Sequence, residues 1–512
     1  MFAKVQSLGV FGMETYLVEA EANIINGKSR FDIVGLPDAA VSEARERVEA
    51  AVKNSGFVFS YQHITVNLAP ASKRKEGSAY DFPILMALLR ALGQIRADLS
   101  GMAFIGELSL AGDVRPVKGV LPMLISAAGT GIREVFIPEQ NAAEARVVKN
   151  LTVYPVKSVK QLAKHLSGEA PIKPVTFSLE NAQPETEPLP DFADVKGQAA
   201  AKRALEVAAA GGHNCLLIGP PGSGKSMLAK RLPSILPDMT FAESLETTKI
   251  YSIAGKLPTN TALITRRPFR SPHHSISAAG LSGGGTIPKP GEISLAHNGV
   301  LFLDELPEFG RSTMEALRQP LEDGYITLSR AAGTVRYPSA VMLVAAMNPC
   351  PCGYFGHPTR PCTCPKGMPA KYLSRISGPL LDRMDIHIEA GAVNYDQLTS
   401  KTPSESSASI KKRVNAARAV QSERFAGTGV TCNAQMTPVM TRKYCVLTPG
   451  AEAMLKGVFD RLGLSARAYD KILRLSRTIA DLAGSENIDT AHVAEAVQYR
   501  NLDRKFWQTD SE

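Results

Sequence analysis

A glycine-rich segment near the middle of the chain has the residue types and the spacing needed to hold phosphate. It fits the pattern G-x-x-x-x-G-K-[ST] at every fixed position, after the apolar run CLLI and before the helical pattern SMLAKRL. Glycines let backbone N–H groups curl around a phosphate, a lysine neutralises the β- and γ-phosphates, and the last hydroxyl holds Mg²⁺. The sequence therefore predicts an ATP–Mg²⁺ site formed by Gly219, Pro220, Pro221, Gly222, Ser223, Gly224, Lys225 and Ser226.

Two later apolar runs end in polar residues that complete this chemistry. The run VLFL is followed by Asp304 and Glu305, and the run VMLVAAM is followed by Asn348. We expect Asp304 to join Ser226 in the Mg²⁺ shell, and Glu305 to polarise the attacking water. Asn348 at the next strand tip is expected to orient the water from the opposite side.

Four of the seven cysteines lie within fifteen positions, in two close pairs. Four thiolates are the ligand set of a closed structural Zn²⁺ site, whereas a disulfide framework is not expected in a chain of this size. The pairs are spaced C-x-C rather than C-x₂-C, and His357 lies between them as a possible substitute for a thiol. The predicted zinc ligands are Cys350, Cys352, Cys362 and Cys364.

The patterns around these residues predict an α/β protein of several domains. Residues 171–192 hold five prolines and four acids in 22 positions, which indicates a linker. Before it, residues 1–170 mix strands (63–68, 134–137) and helices (39–53, 82–92). After it, short apolar strands at 215–218, 300–303 and 341–345 predict a parallel sheet over residues 193–393. Residues 394–512 are predicted to be a helical lid, with a loop at 398–408 and helices at 409–424, 449–462, 466–482 and 490–499.

Composition places the protein in a reducing, aqueous compartment and permits a polyanionic partner. The 58 Lys and Arg exceed the 49 Asp and Glu, for a net charge of +9 over 512 residues. This excess is compatible with nucleic acid but does not establish it. The N-terminus does not have the pattern of a signal peptide. No stretch of the sequence reaches 18 uninterrupted apolar residues, so we expect no membrane span. A cytoplasmic location is expected.

Longer motifs resemble one family. KEGSAYDFP at 75–83, DFADVKGQAAAKRALEVAAAGGHN at 191–214, RPFRSPHHSIS at 267–277 and ISGPLLDRMDIHIE at 376–389 resemble the ComM/YifB family, within the magnesium-chelatase-like branch of the AAA+ ATPases. The resemblance implies a homo-hexameric ring with ATP between subunits. It implies that Arg383 is an arginine finger, with Arg375 as the alternative, and that Arg467 is a second sensor delivered by the lid.

The same resemblance points to two loops that would hold a substrate. Residues 324–338 are predicted to form a β-hairpin with Arg330 and Arg336 near its turn, and residues 280–291 form a second loop carrying Lys289. In related ring helicases, such hairpins reach into the central pore. Basic side chains there would bind nucleic-acid phosphates without reading bases.

The first 170 residues resemble the Lon-protease domain (ribosomal S5 domain 2-like). Ser78 lies where that family has its nucleophile, but Leu121 stands at the position of the lysine base, and Lys118 is in a different register. A Ser–Lys pair needs an amine within reach of the hydroxyl. We therefore expect a Lon-like fold without proteolysis.

Four functions are compatible with the motifs. The resemblance implies an ATP-driven DNA motor, a hexameric branch-migration helicase that promotes recombination during natural transformation. The alternatives are an ATP-dependent protease or unfoldase, a metal-chelatase motor subunit, and a regulatory ATPase that remodels a protein partner. A ring ATPase core would serve all four.

Overall fold

The chain folds into three units that follow one another along the sequence. The computed structural model describes residues 1–178, 188–286, 288–331, 333–391, 399, 404–500 and 506–507. The units are an α/β domain, a parallel-sheet core and a helical region, in the predicted order. The predicted boundary at 393/394 and residues 398 and 400–403 of the predicted loop 398–408 lie outside the described residues.

The first unit is a seven-stranded mixed sheet with helices packed on it. Its spatial strand order is β3-β4-β2-β1-β5-β8-β9, while β6 and β7 form a separate two-stranded ribbon. The strands are β1 (Phe2–Phe11), β2 (Glu14–Ile25), β3 (Arg30–Val34), β4 (His63–Ala69), β5 (Met102–Phe104), β6 (Glu107–Leu108), β7 (Val114–Arg115), β8 (Glu134–Pro138) and β9 (Thr152–Val156). The helices are Ala39–Ser42, Ala44–Asn54, Asp81–Ala91, Val120–Ala127, Ala142–Ala145 and Val159–Leu166.

The helix predicted over 39–53 is wrong in one respect, because it is two helices that meet at Glu43. The first begins where the Asp38 side chain accepts the Val41 N–H, and both run end to end through an αR residue. The helix Asp81–Ala91, predicted over 82–92 from an amphipathic pattern, is instead buried on all sides, and only Arg90 among its residues is not buried.

Both described ends of the predicted linker 171–192 contact the units that they adjoin. Val175 N–H donates to the Val153 carbonyl of β9 at 2.8 Å, and Ile172 is buried. At the other end, Phe192 is buried and its N–H donates to Ser407 Oγ. The segments next to residues 179–187 are therefore fixed on the units they adjoin, because each contributes an apolar side chain or a main-chain bond to that unit.

The second unit is built on a five-stranded sheet in which every pairing is parallel. Its spatial order is β11-β14-β17-β10-β18, and two antiparallel hairpins, β12–β13 and β15–β16, lie outside it. The strands are β10 (Cys215–Ile218), β11 (Phe269–Arg270), β12 (Gly283–Gly284), β13 (Lys289–Pro290), β14 (Val300–Leu303), β15 (Tyr325–Arg330), β16 (Gly333–Pro338), β17 (Met342–Met347) and β18 (Ile386–Glu389). Strands β10, β14 and β17 are buried along their whole length, as expected for a sheet covered on both faces.

Helices cover this sheet and connect its strands. They are Ala199–Gly211, Lys225–Arg231, Phe241–Ala254, Ala278–Ser282, Glu292–Leu295, Arg311–Glu315, Arg318–Asp323, Met368–Leu373 and Gly378–Leu381. Because parallel strands need crossover connections, the loops that follow β10, β14 and β17 all emerge at the same edge of the sheet.

The third unit is helical, and the start of each helix follows from its sequence. Ser406, Thr437, Thr448, Ser465 and Asp489 are N-caps whose side chains accept backbone N–H groups. The helices are Ser407–Arg424, Pro438–Tyr444, Pro449–Leu462, Ala466–Leu482 and Thr490–Gln498. They share one hydrophobic core with helix Ala199–Gly211 and the strands of the second unit. Within the described residues, no helix is both long and apolar enough to cross a membrane.

Candidate functional site

The glycine-rich loop joins β10 to the helix Lys225–Arg231, so the helix N-terminus faces the loop. Gly222 and Gly224 have φ of +76° and +84°, a region that glycine adopts without strain. A Cβ atom at Gly219 would lie 2.2 Å from the Ala390 carbonyl oxygen, so the first glycine is required for close backbone packing. The loop therefore has the backbone shape that surrounds a phosphate.

Lys225 is buried inside this loop. Its Nζ donates to the carbonyl oxygens of Gly219 and Pro220 at 2.8 and 2.9 Å. It also donates to Oδ1 of Asn348 at 3.2 Å. Burial lowers the pKa of Lys225, and the charge of Asp304 acts in the opposite direction. The ammonium thus lies among oxygen acceptors that phosphate oxygens can replace.

The two acids after β14 lie opposite the loop. Ser226 Oγ donates to Oδ2 of Asp304 at 2.6 Å, which joins the two predicted Mg²⁺ ligands. A hydroxyl and a carboxylate oxygen at this separation suit Mg²⁺, which prefers hard oxygen ligands. Because β17 lies between β14 and β10, Asn348 at its tip lies between the acids and the loop. The structure thus brings the predicted ATP-site residues of these three strands together.

Glu305 has an unusual backbone and a partner that sequence reasoning missed. Its φ is +55°, which is strained for a residue with a side chain, and its N–H donates to Oδ1 of Asp304. Its carboxylate Oε2 lies 3.4 Å from Nδ1 of His274. The His274 ring also packs edge-on against Phe309. The sequence indicated only that His274 belongs to the motif RPFRSPHHSIS, and nothing in that motif predicted a contact with Glu305.

The two predicted trans-acting arginines lie at the other edge of the sheet. Arg383 comes three positions before β18, and its carbonyl accepts a bond from Asn214, the residue before β10. Its guanidinium donates to the Pro379 carbonyl and forms an ion pair with Glu322. Arg383 and Arg467 both line one cavity of about 820 Å³. Because the glycine-rich loop follows the carboxyl end of β10, the structure does not bring either arginine to the ATP site of its own chain.

Arg375, the alternative finger, lies elsewhere. Its Nη1 donates to the Pro307 carbonyl at 3.3 Å and to Oε2 of Glu308 at 3.1 Å. Both partners follow Glu305 in the loop after β14. Arg375 is therefore at the edge of the sheet that carries the acids, with a carboxylate partner in its own chain.

The four predicted zinc ligands converge. Their Sγ atoms all lie within 4.8 Å of one another, and none of the four is in a disulfide. Cys350 is buried, and its Sγ accepts the Phe355 N–H at 3.3 Å, a bond typical of a metal-bound thiolate. His357 does not belong to this converging group, and its Nδ1 accepts the N–H groups of Thr359 and Arg360. The donor set fits a tetrahedral Zn²⁺ ion held by four cysteines.

The cysteine loop packs directly on the glycine-rich loop. A Cβ atom at Gly353 would lie 2.2 Å from Cδ of Pro221, and Gly353 has a φ of +84°. The loop begins two residues after Asn348, which bonds Lys225. We therefore expect a distortion of the cysteine cluster to reach the phosphate loop through the contact of Gly353 with Pro221.

The predicted substrate loops form hairpins that lie side by side. The hairpin expected at 324–338 is present as β15–β16, and 283–290 forms β12–β13. Arg330, Arg336 and Lys289 are exposed. The Arg336 guanidinium lies over the Tyr325 ring at 4.9 Å from its centroid. In the chain, β15–β16 is inserted between the acids after β14 and the strand that carries Asn348.

The first unit has no lysine beside its candidate nucleophile among the contacts of the described residues. Ser78 Oγ donates to the Glu107 carboxylate, so its partner is an acid and not the lysine amine of a Ser–Lys pair. Leu121 is buried in the helix Val120–Ala127. Lys118 packs instead on the ATPase unit, because a Cβ atom at Gly255 would lie 2.5 Å from its Cε.

Counted in chain order, the strands of the second unit are arranged 2-3-4-1-5, with the phosphate loop after the first and the acids after the third. This fold and site define an AAA+ P-loop ATPase, a class that uses ATP and Mg²⁺. Residues 191–398 match the family model "Magnesium chelatase, subunit ChlI", and residues 404–500 match its C-terminal model. Residues 20–141 match the model "Subunit ChlI of Mg-chelatase".

Known proteins of the same length are similar over nearly the whole chain. The chain is 43% identical to Competence protein ComM of Haemophilus influenzae, with 98% of each covered. It is 42% identical to the protein YifB of Escherichia coli, over 98% of this chain and 97% of the relative. A Lon protease of Desulfovibrio desulfuricans is 30% identical over 161 residues, which are 28% of this chain and 18% of the relative. The chain therefore belongs to the ComM/YifB family of magnesium-chelatase-type AAA+ ATPases, with a Lon-like N-terminal region.

Proposed function

We propose that this protein is an ATP-driven DNA motor. The observation that carries the proposal is the insertion of the exposed basic hairpin β15–β16 between the strands that carry Glu305 and Asn348. A movement of either strand tip on ATP hydrolysis would move this hairpin, because the chain connects the hairpin directly to both strands. Arg330 and Arg336, with Lys289 on the neighbouring hairpin, provide charges that bind a phosphate backbone without reading its sequence.

The motor works as a homo-hexameric ring. Arg383 and Arg467 lie at the edge of the sheet opposite their own phosphate loop, so they would serve the ATP of a neighbouring subunit. A guanidinium stabilises charge that develops on the γ-phosphoryl group. The Glu322 carboxylate, which pairs with Arg383 in the single chain, would then exchange its partner when the ring assembles.

Within each site, the residues of this chain have distinct tasks. Lys225 binds the β- and γ-phosphates, and Ser226 and Asp304 hold Mg²⁺. Glu305 takes the proton of the attacking water, while Asn348 orients that water and keeps Lys225 in place. We assign a structural Zn²⁺ to Cys350, Cys352, Cys362 and Cys364, where it stabilises the loop packed on Pro221.

The biological setting is inferred from a relative. The Haemophilus protein is named a competence protein, and competence is the uptake of DNA. We propose that the present chain promotes branch migration during recombination of incoming DNA in natural transformation. The substrate would be single-stranded or branched DNA in the cytoplasm.

A protein substrate is the second candidate, favoured by the similarity of the N-terminal region to Lon proteases. Proteolysis itself is disfavoured because Leu121 occupies the expected lysine position and Ser78 bonds Glu107. Remodelling of a protein partner, or of a chelatase-type substrate as in the family whose models match, would use the same ATPase core without requiring Lys289, Arg330 and Arg336.

The test is ATP hydrolysis by the purified protein with no DNA, with single-stranded DNA and with branched DNA. We expect strong stimulation by DNA, weakened in Arg330→Ala and absent in Lys225→Ala. The matched control is Arg115→Ala, which removes an exposed arginine of the first unit. ATPase activity indifferent to DNA, with no detectable DNA binding, would contradict the proposal and favour a protein substrate.

A further inference from the structure

The two hairpins of the ATPase core form one surface. Tyr337 of β16 donates its hydroxyl to the Pro288 carbonyl at 2.8 Å, next to Lys289. A Cβ atom at Gly283 of β12 would lie 3.2 Å from Cδ1 of Leu328, and one at Gly284 would lie 3.3 Å from Nη2 of Arg330. The side chains of Lys289 and Arg330 therefore belong to neighbouring parts of the same surface.

The N-terminal unit packs against this surface. A Cβ atom at Gly12, in the turn between β1 and β2, would lie 2.1 Å from Cγ1 of Val335. The Phe11 ring lies within 3.0 Å of where a Cβ atom of Gly333 would be. Because these contacts leave no room for side chains, the turn and the hairpin β15–β16 are held together as one body.

A basic loop of the N-terminal unit, residues 70–77, is rigidly built. Lys75 is completely buried, and its Nζ donates to the carbonyl oxygens of Pro70 and Lys73. The Tyr16 hydroxyl donates to the Arg74 carbonyl at 3.0 Å, and Asp38 N–H donates to the Lys75 carbonyl at 3.0 Å. With its main chain fixed in this way, the loop leaves the side chains of Lys73 and Arg74 exposed.

This loop is close enough to the hairpin β12–β13 for the charge of Lys289 to act on Glu76. Arg74 Nε lies 3.8 Å from Oε1 of Glu76. Burial and the charge of Asp38 raise the pKa of Glu76, while the charges of Arg74 and Lys289 act to lower it, so Lys289 lies within electrostatic range of the loop. Two carboxylates, Glu76 and Asp38, therefore stand beside the four cations Lys73, Arg74, Lys289 and Arg330, and these charges together leave a positive excess.

We infer that Lys73 and Arg74 extend the phosphate-binding surface of Lys289 and Arg330, so that the N-terminal domain itself binds the nucleic-acid backbone. This inference rests on the proposed DNA function and adds a role for the domain. Fixed lysine and arginine side chains bind phosphates independently of sequence, and each contact makes affinity more dependent on salt. The Lon-like domain thus acts as a nucleic-acid platform that moves with the hairpin it contacts.

The experiment measures the binding of fluorescent duplex and single-stranded oligonucleotides by the full-length protein over a range of salt concentrations. The test variant is Lys73→Ala/Arg74→Ala, and Lys73→Glu/Arg74→Glu gives the stronger perturbation. The matched control is Lys160→Ala/Lys164→Ala, because both lysines are exposed on the helix after β9, at the opposite edge of the same sheet. Thermal unfolding verifies that each variant is folded.

We expect the slope of log affinity against log salt for duplex DNA to fall by about 1 for each phosphate contact removed, with affinity weakened for all sequences alike. The control double variant should bind as the unaltered protein does. An unchanged slope in Lys73→Ala/Arg74→Ala, beside a reduced slope in Lys289→Ala/Arg330→Ala, would overturn this inference and leave the DNA function standing. Absence of binding by the unaltered protein would overturn both.

Discussion

At the scale of single residues, the side chain that controls Glu305 is remote from it in the chain. His274 lies 3.4 Å from the Glu305 carboxylate, while the positive φ of Glu305 limits the directions its side chain can take. A base must be held within reach of its water, since a small misplacement costs much of the rate. We therefore assign His274 as a positioning residue for Glu305.

Removal of the His274 ring should separate turnover from binding. In His274→Ala we expect kcat for ATP hydrolysis to fall roughly tenfold, because Glu305 is less well placed, while KM changes little. Steady-state kinetics over a range of ATP concentrations measures both. His63→Ala is the control, because that ring pairs with Asp32 in the first unit and has no contact with Glu305. Equal kcat values in the two variants would show that His274 does not position Glu305.

At the scale of structural elements, the cysteine loop and the phosphate loop act as a pair through Gly353 and Pro221. The loop supplies one buried and three partly exposed thiols, and Zn²⁺ would hold all four together. We therefore expect the position of Pro221 to depend on the ligation of the cysteines, because Gly353 of the same loop packs on it.

Loss of two ligands should release zinc and weaken ATP binding together. For Cys362→Ser/Cys364→Ser we predict less than one zinc per chain by elemental analysis, and a several-fold higher KM for ATP. His357→Ala should keep its zinc, because His357 Nδ1 is occupied by backbone N–H groups. Zinc retained in the double serine variant, or lost in His357→Ala, would show that the ligand set is different.

The helical unit is fixed to the amino edge of the ATPase sheet by a charged cluster. Lys471 Nζ lies 3.1 Å from Asp385 Oδ1, and His213 Nδ1 lies 3.5 Å from Oδ2. Burial alone would raise the pKa of Asp385, but Lys471 and His213 outweigh it and hold that pKa well below its usual range. Burial lowers the pKa of Lys471, and the charge of Asp385 acts to raise it. The Asp385 carboxylate also accepts the Asn214 N–H, a third partner that favours its charged form.

Breaking this pair should destabilise the protein in a way that depends on pH. A carboxylate whose folded pKa is depressed stabilises the fold above its unfolded pKa, about 3.9, and this contribution is lost as pH falls. Lys471→Met should lower the free energy of unfolding at pH 7 by about 3 kcal/mol, which is several degrees in Tm. The difference in Tm from the unaltered protein should narrow below pH ~4. Lys456→Met, at an exposed lysine of a neighbouring helix, is the control; a constant difference across pH would contradict the assignment.

Local patterns predicted much of the fold and of the ATP site. The strands at Cys215–Ile218 and Val300–Leu303 and the helices Pro449–Leu462 and Ala466–Leu482 begin and end as predicted, because apolar runs and N-caps are local signals. The contacts of His274, of Gly12 with Val335 and of Gly353 with Pro221 were not predicted. Each joins segments distant in the chain, and each depends on packing that no periodicity records.

At the scale of the whole molecule, the proposed role of Arg383 requires a site completed by a neighbouring subunit. It lies at the amino edge of a parallel sheet whose carboxyl edge holds Lys225, Asp304 and Glu305. A head-to-tail ring would bring the amino edge of one subunit to the ATP of the next, as closed heterologous interfaces do.

Mixing experiments should reveal this sharing. Arg383→Ala alone should lose about 10³-fold in kcat, and Lys225→Ala alone should be inactive. When the two variants are mixed and allowed to form joint rings, some interfaces combine an intact phosphate loop with an intact arginine. Partial recovery of ATP hydrolysis is expected. No recovery, although mass analysis shows mixed rings, would indicate that Arg383 acts within its own chain or only in structure.

If ATP turnover moves DNA, as proposed, the protein should carry out strand exchange on a branched substrate. The measurement follows the release of a labelled strand from a synthetic branched junction, with ATP and with a non-hydrolysable analogue, for the unaltered protein and for Glu305→Gln. We predict release only by the unaltered protein with ATP, while Glu305→Gln binds both ATP and the junction without releasing the strand. Rapid ATP hydrolysis with neither junction binding nor strand release would show that the protein is not a DNA motor.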